Sequence, residues 1–486
     1  MAPLNKVIID TDPGVDDILA MLLAFAAKPE ELQVLLVSVT FGNVDVQSCL
    51  RNVVSLFHVI EKEMRWRAEH GREEGFEALK AFQPLVAVGP AEPLADQMMM
   101  ADYFLLQHPH LTPEETWKTL FSNTGPALPG TGPDSVLPEG ANLAREFPSA
   151  ERLFTPSKTP AHKEVLRLLR ENERDTISII AIGPLTNLAL AAAEDTETFL
   201  RAKEIIVMGG AIDEPGNVRA PAPPIRPPSP PAPPVRLTKA PSTPLRTALN
   251  MRNQITPVAE FNTFADSVAA ARVYALTSPR PASTMPPAPP PNKERSEKPS
   301  SPSPPPPPSL APYPDPLSRR LDLTLFPLDI TSPHTLTRGQ FRRAVGPLLE
   351  QGSPLAEWTN AFLEATFRKI EAMRPGDAAA TLQLHDPLCV WYAMTGRDPG
   401  WDVVRGVDVR VETSGQWTRG MCVVDRRGRA RRGGGDGDGG GDGEGEPKGD
   451  SGNWLGRDAG NRMGRCVGSP GTDVFGEFLL RTVFGL

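Results

Sequence analysis

The chain has 486 residues, and 51 Lys and Arg against 59 Asp and Glu leave a formal charge of −8, which disfavours a phosphate-backbone partner and so a nucleic-acid binder. Hydrophobic residues make up 40 %, enough for one large core or two ordinary ones, but 55 prolines and 41 glycines are about a fifth of the chain, so much of it belongs outside a packed core. Four well-separated cysteines with no CxxC pair argue against a zinc knuckle or a disulfide framework and fit a reducing compartment.

The N-terminal MAPLNKVIIDTDPG has an apolar run too short for a signal peptide, and no later run approaches a membrane span; the expectation is a soluble, cytoplasmic protein with no membrane partner. KVIID (6–10), QVLLVSVT (33–40), PLVAVG (84–89), TISIIAIG (176–183) and KEIIVMGG (203–210) are bounded, near-continuous apolar runs suited to buried parallel strands. Helical patterns lie between and after them. DDILAMLLAFAA (16–27), CLRNVVSLFHVIEKEM (49–64) and PLTNLALAAAE (184–194) repeat apolar residues at three- and four-residue spacing, and LTPEETWKTLF carries a Thr112/Glu115 capping box with Pro113 at the first helical position. This alternation predicts an open α/β fold, a mostly parallel sheet flanked by helices.

Low-complexity insertions interrupt what reads as one domain over 1–486. They lie at 219–253 and 278–320, both Pro-rich, and at 426–466, which holds GGGDGDGGGDGEGEP after a basic RRGRARR. None has the composition to bury a core. Solvated linkers are the plain reading of the PxxP runs, SH3 or WW ligands the functional one, and RRGRARR reads as an exposed charged loop.

Ligands of open α/β sheets sit outside the carboxyl ends of the strands. Directly after the first strand comes Asp10-Thr11-Asp12-Pro13-Gly14-Val15-Asp16-Asp17, four carboxylates at a strand-to-helix turn. Helix capping and the macrodipole account for Asp16 and Asp17 but not for Asp10 and Asp12 at a strand end. Pro13 and Gly14 permit a tight turn, so carboxylates on both sides can converge on one hard cation such as calcium, which takes about six to eight oxygens. An EF-hand needs a glutamate at the twelfth loop position, where Met21 or Leu23 stands. A phosphatase of the haloacid dehalogenase kind places Thr or Val where Gly14 stands. A metal or sugar site is the remaining reading.

DTDPGVDD, with FGN, GPLTN, MGGA, TPVAEFN and HDPL, resembles the inosine-uridine preferring nucleoside hydrolases, particularly fungal members. The resemblance covers about residues 4–60, 84–121, 163–217, 254–285 and 322–425. It implies a Rossmann-like nucleoside hydrolase fold, a ribonucleoside substrate, a bound calcium ion and a homo-oligomer. By motif it implies that Asp12, Asp17 and Asp386 bind calcium together with the backbone carbonyl of Ile182, that Asp10 supports the cluster, and that Asp16 holds a ribose hydroxyl. Asn43, Glu260 and Asn262 match ribose-binding positions, Met208 the residue under the sugar, and His385 the histidine that helps the base depart. Read on type alone, Asn43 forms a turn after Gly42, Met208 is core, and Glu260 and Asn262 are surface polar residues.

The chemistry follows from these groups. A calcium-bound water is oriented and acidified, Asp12 takes its proton, sugar hydroxyls are held by the ion and by Asp16, Asn262 and Glu260, and His385 assists the leaving base. Sugar contacts dominate, which predicts strict preference for ribose and loose preference for base, with inosine and uridine leading.

The sequence departs from the family pattern in two places near the site. After MMMADYF the family's His-Gly-x-Asp-Gly-x-Gly segment is absent, and LLQHPHLTPEE, with His108 and His110, follows Phe104 directly. The first Pro-rich block also separates Asn217 from TPVAEFN, so either Asn217 or Asn253 reaches the sugar. The rival to an active enzyme is therefore a catalytically impaired homologue that binds ribose or nucleosides without turnover.

Overall fold

The structure, a computed structural model, describes residues 5–94, 153–218, 257–286, 308–373, 381–427, 450, 452–456 and 458–486. Numbered in chain order, its strands among the described residues are β1 (Lys6–Thr11), β2 (Gln33–Val39), β3 (Leu85–Val88), β4 (Thr155–Pro156), β5 (Ile177–Ala181), β6 (Glu204–Met208), β7 (Leu323–Phe326), β8 (Thr335–Thr337), β9 (Thr381–Gln383), β10 (Asp402–Val407), β11 (Arg410–Val411), β12 (Cys422–Val423) and β13 (Met463–Gly468). Nine of them form one sheet in the order β10-β13-β7-β6-β5-β1-β2-β3-β4. Every neighbouring pair is parallel except β10 with β13 at the edge.

The apolar runs are continuous because both faces of the sheet are covered, and successive strand residues point to opposite faces. Val7 and Ile9 enter one core while Ile8 enters the other; Ile206 and Met208 are likewise separated from Ile205 and Val207. Helices Val15–Ala26, Val46–Glu69, Arg338–Glu350, Pro354–Met373, His385–Thr395 and Thr472–Phe484 close the first face. Helices Ala161–Glu171, Thr186–Glu194 and Ser267–Ala275 close the second.

β1 is flanked by β2 and β5. The chain builds outward through β2, β3 and β4, then crosses back to lay β5, β6 and β7 on the other side of β1. The carboxyl ends of β1 and β5 thus form the switch point at which open α/β sheets leave a crevice. The tight turn after β1 and the loop after β5 both open onto it.

The five strand readings match β1, β2, β3, β5 and β6 to within two residues at each end, and the helix at 49–64 extends to Val46–Glu69. β7, β10 and β13 were not legible. LTLF follows a Pro-rich stretch, and MGRCVG gains its place by pairing between β10 and β7, the latter more than a hundred residues away in the chain.

The margins of two insertions need correction. Within 278–320, Tyr313 is buried with the Arg272 guanidinium 4.8 Å from its ring centre, and Arg272 also donates to the Ala311 carbonyl at 2.8 Å. Within 426–466, Arg410 lies over the Trp454 ring at 3.7 Å, and Met463 and Cys466 are core residues of β13. Composition averaged over a window hides a few apolar anchors among prolines and glycines. The Thr112 helix start, His108 and His110 lie outside the described residues, as does the whole of the first insertion.

The described segments on either side of that first insertion meet. The Gly216 N–H donates to the Pro257 carbonyl at 3.0 Å, and Asn217 Oδ1 accepts from the Phe261 N–H at 2.9 Å. Flexible loops cost little to lengthen or shorten, about 0.6 kcal/mol per twofold change in length. Replacing 219–256 by a short Gly-Ser turn is therefore expected to leave folding intact and to raise stability by no more than about 2 kcal/mol. Thermal and denaturant melting of the shortened chain checks this; loss of the cooperative transition would show that the insertion packs on the fold.

Candidate functional site

The turn after β1 is organised around Asp17. Its Oδ1 accepts from Thr11 Oγ1 at 2.6 Å and from the Asp12 N–H at 3.2 Å, while Oδ2 accepts from the Gly14 N–H at 2.9 Å and Asn43 Nδ2 at 3.0 Å. Gly14 is the N-cap of helix Val15–Ala26, so Asp17 reaches back to the helix start as a first-turn carboxylate should. Burial nevertheless holds its pKa above the ordinary carboxylate range.

Asp12 is fully buried. Its Oδ2 accepts from the Asn43 N–H at 2.6 Å, but Oδ1 has no hydrogen-bond partner among the described residues. Burial and then the Asp17 charge push its pKa far up. Glycines make room for this carboxylate on both sides: a Cβ at Gly42 would collide with Oδ2, and one at Gly183 would come within 2.7 Å of Oδ1. The FGN and GPLTN glycines therefore serve one side chain.

Asp386 arrives in the first turn of helix His385–Thr395, which packs in the same core as helix Val15–Ala26. One carboxylate oxygen from each of Asp16, Asp17 and Asp386 lies within 4.8 Å of the others. Burial and Asp17 raise half-buried Asp16 to about 7; burial and then Asp16, Asp17 and Asp12 push Asp386 far up. So many carboxylates in a dry pocket can coexist only with shared protons or a cation. The set offers hard oxygens alone, which suits a cation of the calcium kind.

Asp10 points to the other face. It accepts from Ser38 Oγ and, at 2.8 Å, from Asn187 Nδ2, and burial raises it to about 7. Asn187, the last residue of GPLTN, is a supporting residue the motif contained without revealing its role. The Ile182 N–H donates to the Asp10 carbonyl at 2.8 Å, and the Ile182 carbonyl accepts from Asn262 Nδ2 at 2.9 Å, so this backbone is fixed from both sides.

Glu260 and Asn262 are not surface residues, contrary to what their types suggest: they are 1 % and 8 % exposed. Glu260 is the N-cap of helix Phe261–Ala265, accepting from the Asn262 N–H at 2.7 Å, the Thr263 N–H at 2.9 Å and the Gly210 N–H at 3.0 Å. Its carboxylate thereby ties the MGGA loop after β6 to TPVAEFN. Asn43 does more than turn the chain, since its backbone and side chain both engage the acidic cluster. Met208 is 2 % exposed, with its Sδ 3.5 Å from Asn262 Nδ2. Asn253 lies outside the described residues.

A cavity of about 450 Å³ opens over this floor, within the size range of small-molecule sites. Asp16, Asn43, Ile182, Met208, Asn217, Glu260, Asn262, His385 and Asp386 all line it; Asp10, Asp12 and Asp17 lie behind the lining. The wall away from the cluster was not foreseen. It is made by Thr335, Gln383, Thr366 and Ile370, from β8, β9 and helix Pro354–Met373, and by Ser332, which follows the short helix Leu328–Thr331. Scattered hydroxyls in amphipathic segments carry no sequence signal of a site.

His385 is hydrogen-bonded at Nδ1 to Thr331 Oγ1, 2.7 Å away, and burial, with His334 nearby, lowers its pKa to about 4. The resting imidazole is neutral at pH 7. Burial thus favours the neutral ring, which can donate one hydrogen bond from whichever nitrogen carries its hydrogen.

The model of the inosine-uridine preferring nucleoside hydrolase family matches residues 7–444. Uridine nucleosidase 1 of Arabidopsis thaliana is 29 % identical over 222 residues, covering 45 % of this chain and 48 % of that protein. The non-specific ribonucleoside hydrolase RihC of Klebsiella pneumoniae is 24 % identical over 425 residues, covering 87 % and 89 %. A purine-preferring ribonucleoside hydrolase from Gardnerella vaginalis has the same fold, with a TM-score of 0.55 at 16 % identity over 99 % of this chain and 98 % of that one. Among the described residues no helix is long and apolar enough to cross a membrane.

The raised carboxylates have a consequence for stability. Between the ordinary aspartate value of 3.8 and about 7, folded Asp10 and Asp16 hold protons that the unfolded chain has lost. Stability of the chelated protein therefore falls as pH rises through that window and levels above it. The melting temperature in chelator is expected to be higher at about pH 5 than at about pH 8, with a divalent cation restoring more at the higher pH. A flat profile in chelator would rule out this account of the cluster.

Proposed function

This chain belongs to the inosine-uridine preferring nucleoside hydrolase family, and on that premise we propose that it hydrolyses inosine and uridine to ribose and free base, using calcium and a water activated by Asp12. The observation that carries the reading is the buried Asp12 Oδ1, without a hydrogen-bond partner among the described residues, behind a cavity lined by Asp16 and Asp386, whose carboxylate oxygens and that of Asp17 lie within 4.8 Å of one another. Asp12, Asp17, Asp386 and the Ile182 carbonyl would hold the ion; that carbonyl has a second lone pair beyond the one Asn262 uses. Bound there, calcium would neutralise the carboxylates and acidify and orient a water.

Asp12 takes the proton of the attacking water, for which an unpartnered oxygen is required. Asp16, Asn43, Asn217, Glu260 and Asn262 line the cavity and would bind ribose hydroxyls, and Met208, also in the lining, would lie under the ring. His385 faces the departing base as a neutral hydrogen-bond donor. A deoxyribonucleoside leaves buried polar partners unsatisfied, a loss larger than that of a methylene in an apolar pocket.

The test is ribose release from inosine, uridine and 2′-deoxyuridine, with calcium and then with a chelator. Chelator-sensitive release from the two ribonucleosides, poor release from the deoxynucleoside, and a loss of roughly a hundredfold or more in kcat for Asp12→Asn are expected. No release by protein that still binds calcium would overturn hydrolysis and establish the nucleoside-binding homologue instead, the rival favoured by the absent His-Gly-x-Asp-Gly-x-Gly segment.

A further inference from the structure

Thr331 ends the short helix Leu328–Thr331, is fully buried, and places Oγ1 2.7 Å from Nδ1 of His385. The two residues are 54 apart in sequence. They meet because β8 and β9 pair in antiparallel register, Thr335 with Gln383 and Thr337 with Thr381, and the Leu384 N–H extends the ladder to the His334 carbonyl at 2.8 Å. Thr331 then faces the residue that follows Leu384.

A hydroxyl and a neutral imidazole nitrogen can bond in either direction, and the direction decides what the other ring nitrogen does. A buried hydroxyl must place its proton. Among the described residues His385 Nδ1 is the hydrogen-bond partner of Thr331 Oγ1, so the hydroxyl donates to Nδ1. The ring hydrogen of His385 is then on Nε2, the nitrogen left for the cavity that His385 lines.

His334 provides the contrast. Its Nδ1 is 2.8 Å from the Ile330 carbonyl, which can only accept, so Nδ1 carries the hydrogen and Nε2 accepts from Ser469 Oγ at 2.8 Å. Both its nitrogens are spent. Two histidines in one corner of the fold are held as opposite tautomers, and His385 is the one left with a donor.

We infer that Thr331 is a positioning residue for base departure, holding His385 as the Nε2–H tautomer so that the ring presents a donor to the leaving base. The inference rests on the role given to His385 above. As the glycosidic bond breaks, its electron pair passes to the base, and the Nε2 hydrogen stabilises the charge that develops there. That hydrogen stays on the ring, since a neutral imidazole that lost it would become an anion. The proton the base finally carries is replaced through solvent by the one Asp12 removes from the attacking water, so one water is divided between ribose and base.

The experiment compares inosine with 4-nitrophenyl β-D-riboside, whose phenolate leaves without a donor. Thr331→Val is expected to lower the ratio of kcat on inosine to kcat on the nitrophenyl riboside roughly tenfold to a hundredfold, with KM little changed, and Thr331→Ser to restore it. Spectra of histidine-15N-labelled enzyme, with His385 assigned through His385→Gln, should show the Nε2–H form in wild type and its loss in Thr331→Val. An unchanged ratio in Thr331→Val, or equal losses on both substrates, overturns the proposal. A wild-type Nδ1–H form overturns it as well, and that measurement stands even where Thr331→Val fails to fold. If His385→Gln itself leaves the ratio unchanged, the reading of His385 fails; if it lowers the ratio and Thr331→Val does not, the assignment of Thr331 alone fails.

Discussion

Four carboxylates held together out of water are the constraint around which this protein is built. Burial raises the pKa of each of Asp12, Asp16, Asp17 and Asp386, the Asp17 charge adds to the rise at Asp12 and Asp16, and Asp16, Asp17 and Asp12 add to it at Asp386. Such a cluster is destabilising unless something positive joins it, and the surrounding structure is arranged to tolerate it. Thr11, Gly14 and Asn43 give hydrogen bonds to Asp17, and the absence of a side chain at Gly42 and Gly183 lets the Asp12 carboxylate stand between two loops. The fold thereby accepts lower stability at one point in return for a cluster of hard oxygen donors, a common exchange in functional centres.

The sheet supplies the place for it. Because β1 lies between β2 and β5, the turn after β1 and the loop after β5 diverge from neighbouring strand ends, and the space between them becomes the cavity floor. Alternation along the strands then divides the labour. Asp10 belongs with the second face, where Ser38 and Asn187 bind it, while Asp12 and Asp17 turn toward the cavity. Glu260 joins two loops through backbone donors, so this part of the cavity lining is held by a buried cap.

The other wall is assembled from elements late in the chain. Helix Pro354–Met373 and the β8–β9 pair bring hydroxyls and an amide opposite the carboxylates, and the same pairing sets Thr331 against His385. The cavity therefore has an anionic floor and a neutral, hydroxyl-rich wall. A ligand with hydroxyls at one end and a flat polar ring at the other matches that division.

The local patterns of the sequence determined a good deal. Continuous apolar runs marked five central strands because strands buried on both faces need no alternation, and DTDPGVDD placed the carboxylates at a strand end because a tight turn requires Pro13 and Gly14 there. Asp386, Asn43, Ile182, Met208, Glu260 and Asn262 could be named from short motifs, yet that Glu260 is a buried cap and that Gly42 and Gly183 clear space for one carboxylate came from the structure. β7 and β13, the folded margins of the insertions, Thr331 against His385, and Thr366 and Gln383 at the cavity were decided by tertiary structure alone. Their roles depend on partners far away in the chain, and a contact between distant segments leaves no periodicity or spacing in the residues that make it.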